Sequence, residues 1–149
     1  MKKMNNKGFS LVELIVVVLI MAIIAVALAP QVMRWVENSR KSNDIESYNS
    51  LVTACNTAST DEAVVTQVKN AASGLTITLS SSGVGGTGWT SGALQSNILR
   101  TLPELNGHND AIKITSSDWN SNTYTITLTF SSGDGIKVDR TTAPTKDFS

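Results

Sequence analysis

The stretch NNKGFSLVELIVVVLIMAIIAVALAP, residues 5–30, decides how this chain is organised. It contains 16 consecutive apolar residues from Leu14 to Ala29, and the apolar character extends from Phe9 to Met33. A run of about 25 residues is long enough to cross the hydrocarbon core of a bilayer as a helix. A carboxylate, Glu13, nevertheless lies near the start of the run, where a charge is costly unless it has a partner.

The residues alone leave three explanations open. A secretory signal peptide fits the three lysines before Gly8 and the Ala27-Leu28-Ala29 pattern, but Pro30 would follow the cut and hinder ordinary signal peptidase. A simple transmembrane anchor fits the length and a positive cytoplasmic flank, but it leaves Glu13 unexplained. The third explanation is a segment that a dedicated peptidase cleaves, and the order of residues around Gly8 indicates it.

The segment KGFSLVEL, residues 7–14, followed by a long apolar helix, resembles the class III signal of type IV pilins and pseudopilins. The resemblance is strong over residues 2–35 and weak beyond. It implies that a prepilin peptidase cuts between Gly8 and Phe9, and that Phe9 becomes an N-methylated N-terminus. Glu13 then matches the glutamate found fifth in the mature chains of the family. Pro30 falls where many members carry a helix-bending proline, and with Glu13 and Phe9 it is expected to act in assembly.

The resemblance also implies an assembly role for Glu13. Cleavage creates a positively charged α-amino group at Phe9, four residues from Glu13 and within helical reach. The favoured partner in the family is the amine of a neighbouring subunit in a helical homo-oligomeric filament. Further implied partners are the prepilin peptidase, the pilus assembly platform proteins and the cytoplasmic membrane before assembly. After assembly the implied location is an extracellular pilus filament.

The resemblance implies a leader at 1–8, and the composition then predicts a helical stem at 9–59 and an α/β head at 60–149. Within the stem, residues 9–33 are expected in membrane or filament core, and Pro30 should bend or loosen the helix and move Ala29 away from helical angles. An apolar stripe with spacings of three and four should face the head's sheet: Ile45, Tyr48, Leu51, Val52 and Cys55. The polar section 37–44 is expected to be exposed or between subunits.

The head is expected to combine helices with an antiparallel sheet. Helices are predicted at 60–73, with Thr60 as a possible cap, and at 93–102. Strands are predicted at 75–79, 111–115, 123–130 and 136–138, with a Gly/Ser-rich loop at 80–92. The predicted fold class is α+β, in which a long N-terminal α-helix packs on a small antiparallel β-meander.

The sequence contains no catalytic constellation, so we expect neither an enzyme nor a cofactor. Cys55 is the single cysteine and is expected to be a buried apolar residue, and His108 a solvated loop residue. We expect no metal site. Some pseudopilins bind calcium, and the weak candidates for such a site are Asp118, Asp134 and Asp139. Because these acids lack EF-hand spacing, their better interpretation is as turn-forming residues.

Charge gives no sign of a nucleic-acid partner. The whole chain has zero net charge, and without the three leader lysines nine basic residues face twelve acidic ones. On the resemblance, the first functional hypothesis is a pilin that polymerises into a type IV pilus. The alternatives are a pseudopilin of a type II secretion or DNA-uptake apparatus, and a monomeric membrane-anchored binding domain.

Overall fold

The computed structural model of the chain describes residues 10–145. The chain forms two compact units, Met1–Val36 and Glu37–Ser149. The first helix, α1, runs from Leu11 to Ala58 and crosses the boundary between these units.

In the first unit, α1 stays helical through the proline. Pro30 lies inside the helix, and Ala29 before it is helical as well. The expectation that Pro30 would move Ala29 away from helical angles is therefore wrong. The bias before a proline is a preference rather than a prohibition, and a long apolar helix can keep its pattern around one missing amide donor.

In the second unit, the predicted stripe of α1 forms part of the core. Tyr48, Leu51, Val52 and Cys55 are buried, and Ile45 is partly buried against the same cluster. The Tyr48 ring meets the Tyr124 ring edge-on, with their centroids 6.1 Å apart. The spacing of three and four residues thus places one face of the helix on the sheet, as predicted.

The sheet has four antiparallel strands in the order β2-β1-β3-β4. Their bounds are β1 Leu75–Ser80, β2 Gly83–Gly85, β3 Tyr124–Ser131 and β4 Gly135–Thr142. Two hairpins, β1–β2 and β3–β4, lie side by side because β1 pairs with β3. Alternation of apolar residues and threonines turns Ile77 and Ile126 to the core. The α+β class, with a long helix on an antiparallel sheet, is confirmed.

The strand predicted at 111–115 is wrong. Ile112 and Ile114 are buried and alternate with exposed neighbours. The Ile114 amide bonds to the carbonyl of Ser80, the last residue of β1, at 3.0 Å, but the next amide, that of Thr115, bonds to the Asp44 side chain on α1, so no strand ladder continues. The alternating pattern was present, but the hydrogen bonds that define a strand were not.

The Gly/Ser-rich stretch 80–92 is more ordered than predicted. It contains β2 and a short 3-10 helix at Thr87–Trp89, and Trp89 is buried. Gly86 has a φ of 105°, and a Cβ there would lie 2.3 Å from the Thr76 carbonyl oxygen. Glycine therefore lets this segment turn directly against β1.

Two short helices complete the head: α2 at Glu62–Asn70 and α3 at Ala93–Thr101. A 3-10 turn, Pro103–Leu105, follows α3. The cap of α2 is Asp61, whose carboxylate accepts from the Ala63 amide at 2.9 Å. The suggestion that Thr60 caps this helix is wrong, because the Thr60 hydroxyl donates back to the Thr57 carbonyl and helps to end α1.

Candidate functional site

The apolar half of α1 leaves large hydrophobic side chains exposed within its own unit. The exposed side chains include Leu14, Ile20, Ile23, Val26, Leu28 and Trp35. Among the described residues, α1 is the helix that is long and apolar enough to cross a membrane. Exposed apolar surface of this extent is unstable in water, and it marks a site that a membrane or another protein covers.

Glu13 lies in the first turn of this helix. Its carboxylate accepts a hydrogen bond from the Ser10 amide at 2.9 Å, and the Leu14 amide donates to the Ser10 carbonyl. Glu13 therefore stabilises the helix start, where amides have no partner in the preceding turn. Ser10 and Glu13 have the Ser-x-x-Glu spacing of a capping box, which is the local signal for this role.

Gly8 and Phe9 lie outside the described residues. The cleavage between them, the methylation of Phe9 and the pairing of its amine with Glu13 stay predictions. Pro30, the third residue expected to act in assembly, is located in the exposed part of α1.

The second unit contains a network of acids on α1, which we call the carboxylate clamp: Glu37 and Asp44 with the loop residues 115–118. The Asp44 side chain is fully buried. Its Oδ1 accepts from the Thr115 amide and hydroxyl, and its Oδ2 from the Ser116 amide, each at 2.8 Å. A buried carboxylate is tolerated only when its oxygens are bonded in this way.

Glu37 holds the same loop two turns earlier on α1. Its oxygens accept from the Ser116 hydroxyl at 2.5 Å, the Ser117 hydroxyl at 2.8 Å and the Asp118 amide at 3.1 Å. The bond from the Ser116 hydroxyl, helped by those from Asp118 and Ser117 and opposed by desolvation, lowers the pKa of Glu37 to about 2. Glu37 is therefore ionised at neutral pH.

Lys41 lies between the two acids and completes the contact. Its Nζ is 2.7 Å from the Asp118 carboxylate and 5.8 Å from the centroid of the Trp119 ring. The side chain is only 6% exposed, so its charge needs these partners. Glu37, Lys41 and Asp44 follow one another by four and three residues, which puts them on one face of α1.

The expectation that residues 37–44 would be exposed or lie between subunits is therefore wrong for Lys41 and Asp44. Both are buried against the chain's own loop. The signal that could have revealed this contact is the spacing of Glu37, Lys41 and Asp44, which continues the face of the apolar stripe. Because charged residues usually lie at a surface, this spacing alone does not indicate burial.

The remaining candidate residues have local roles. Cys55 is buried, and burial raises the pKa of its thiol to about 12, so it packs as an apolar residue as predicted. His108 is exposed in a loop, as predicted. Asp118 pairs with Lys41, and Asp139 with Lys137 at 2.9 Å. Asp134 is exposed in the β3–β4 turn, and residues 10–145 contain no cluster of acids, His or Cys suited to a metal.

Comparison with known proteins gives one match. A family model described as the prokaryotic N-terminal methylation motif matches residues 3–29. The matched segment contains Gly8, Phe9, Glu13 and nearly all of the apolar run. No curated protein and no solved structure gives a significant match.

Proposed function

The N-terminal methylation motif at residues 3–29 supports membership of the type IV pilin and pseudopilin family, and on this premise we propose that the chain is a pilin. As a pilin it is a structural subunit that polymerises into a type IV pilus filament through its apolar helix. The motif itself implies processing by a prepilin peptidase and assembly into a pilus-type system. The family is structural rather than catalytic.

One observation carries this proposal: the helix that begins at the motif exposes its apolar side chains within its own unit. The second unit has its own core, in which the apolar stripe of α1 packs on the sheet. The apolar half of α1 is therefore available to a bilayer or to copies of itself. A subunit that moves from membrane to filament needs such a surface in both places.

In this proposal the chain has three functional parts. Residues 1–8 are a leader that keeps its lysines in the cytoplasm. Residues 9–59 are the stem, of which 9–33 occupy the membrane before assembly and the filament core afterwards. Residues 60–149 form the head, which the carboxylate clamp and the apolar stripe attach to the stem. Membrane anchoring before assembly fits the apolar helix and the motif.

Glu13 has two successive partners in this proposal. Before assembly its carboxylate bonds to the Ser10 amide at the helix start. After cleavage a new α-amino group lies at Phe9, and the amine of a neighbouring copy neutralises Glu13 in the low-dielectric filament core. Because such a pair is directional, its main contribution is to fix the axial position of one copy against the next.

A pseudopilin of a type II secretion or DNA-uptake apparatus is the second candidate, because the same motif marks both kinds of subunit. Adhesion and motility are possible uses of a pilus. A monomeric membrane-anchored binding domain is the third candidate, and it requires an uncleaved N-terminus.

The test is to shear filaments from cells that make the chain at its natural level, and to examine them by electron microscopy with an antibody to the head. A pilin gives long labelled surface filaments. A pseudopilin gives filaments only when overproduced. A chain that stays in the membrane fraction in both conditions contradicts both assembly functions.

A further inference from the structure

Seven charged side chains lie on α1, and the structure gives partners to five of them. The seven are Glu13, Arg34, Glu37, Arg40, Lys41, Asp44 and Glu46. Glu13 bonds to an amide of the first turn, and Glu37, Lys41 and Asp44 bond to the loop at 115–118. Arg40 lies 3.8 Å from Glu37. Within residues 10–145, Arg34 and Glu46 have no ion pair or side-chain hydrogen bond.

Arg34 and Glu46 are opposite in charge and both exposed. They are twelve residues apart in the sequence of α1, and within residues 10–145 they form no ion pair with each other. Arg34 directly follows the apolar part of α1, so a neighbour that covers this part would also cover its guanidinium.

We propose that Arg34 of one copy pairs with Glu46 of a neighbouring copy when the chains assemble. This proposal rests on the proposed filament function and names a contact within it. The neighbour is a second copy of this chain, displaced along the helix axis so that its Glu46 lies level with Arg34.

The physical reason is the cost of an unpaired guanidinium inside a helix bundle. Arginine stays protonated under all ordinary conditions, so it cannot become neutral as water is removed. The other carboxylates of α1 already accept hydrogen bonds within their own chain, and Glu46 is the acid of this helix that remains available. Pairing opposite charges between copies also selects one axial displacement over others.

The test is a charge exchange in the full chain, scored by the amount of sheared filament relative to membrane-bound subunit. Arg34→Glu and Glu46→Arg should each lower filament yield about tenfold or more, because each places like charges together. The double variant R34E/E46R should restore most of the yield. Arg34→Lys, which keeps the charge, and Asp134→Lys, which changes an exposed charge in the β3–β4 turn, are the controls and should assemble well.

Filaments at normal yield from either single reversal, or no recovery in the double variant, overturn the pairing while the filament function stands. An absence of filaments from the unaltered chain overturns the proposed function and the pairing together.

If a charge-reversed chain does not accumulate in cells, cross-linking between two introduced cysteines tests the pairing instead. The variant R34C/E46C, treated with a short bismaleimide in assembled material, should give a ladder of dimers and longer oligomers. Chains with one added cysteine cannot extend beyond dimers, because Cys55 is buried and its thiol stays protonated. A ladder supports the pairing, and its absence from well-assembled material contradicts it.

Discussion

The Oδ1 atom of Asp44 accepts two hydrogen bonds from Thr115, one from the amide and one from the hydroxyl, each 2.8 Å long. These residues are 71 positions apart in the sequence, so the contact ties the stem helix to the loop at 115–118 of the head. The Ser116 amide bonds to the other oxygen, Oδ2, also at 2.8 Å. One buried carboxylate thus holds the backbone of two successive loop residues.

Asp44→Ala should destabilise the head by about 3 kcal/mol, because it leaves two amides of the loop without their charged acceptor. Urea unfolding of the mature protein in detergent, followed by tryptophan fluorescence, measures this change. Asp134→Ala removes an exposed acid in the β3–β4 turn and should change the free energy of unfolding by about 0.5 kcal/mol or less. Equal effects of both substitutions would contradict the role of the clamp.

Glu37 makes the clamp sensitive to acid. Because its pKa is lowered from 4.5 to about 2 on folding, its stabilisation is complete above pH 4.5 and is lost as the pH falls toward 2. Glu37→Gln should therefore be clearly less stable than the unaltered chain at pH 7, and the gap should shrink by pH 3. A gap that is the same at both pH values would refute this account of Glu37.

Gly86→Ala should cost about 2 kcal/mol or more, since alanine is strained at a φ of 105° and its Cβ would lie 2.3 Å from the Thr76 carbonyl oxygen. Gly133→Ala is the matched control, because no atom lies within 4 Å of its Cβ position and its φ is not positive. Thermal unfolding of the two variants compares them directly. A Gly86→Ala protein as stable as the control would show that the turn beside β1 is not tightly packed.

Periodicity was enough to predict the parts of the fold that depend on side-chain burial. Residues at 3.6-residue spacing around Tyr48 and at alternate positions around Ile126 were placed on the core correctly. The sequence was not enough where long-range hydrogen bonds decide the structure. The segment around Ile114 alternates like a strand, but Asp44, far away in the sequence, takes the amide that follows it.

The candidate site likewise divides into a part set by local sequence and a part set by long-range contacts. The motif around Gly8 and Glu13 is local and could be read directly from the residue order. The clamp was indicated only by the spacing of Glu37, Lys41 and Asp44 along the face of the apolar stripe, and charged residues at such positions are usually solvated. The burial of Lys41 beside Asp118 depends on the long-range fold.

Glu13 has a helix-capping role and a proposed charge-pairing role, and two substitutions separate them. Glu13→Ala should be cleaved normally but assemble poorly. Glu13→Gln can still accept from the Ser10 amide but lacks the charge. If assembly requires pairing with the amine of Phe9, the Glu13→Gln variant should give as little sheared filament as the Glu13→Ala variant. Normal assembly of the Gln variant would assign the effect to the helix cap instead.

The central claim, that this chain is a processed prepilin, is tested most directly by the intact mass of the mature protein isolated from its membrane or filament. The account predicts a chain that has lost residues 1–8 and begins at Phe9, with one added methyl group on the new N-terminal amine. Fragmentation of the N-terminal peptide locates that methyl group. A mature protein that begins at Met1, or at Pro30 after cleavage by ordinary signal peptidase, would contradict the account.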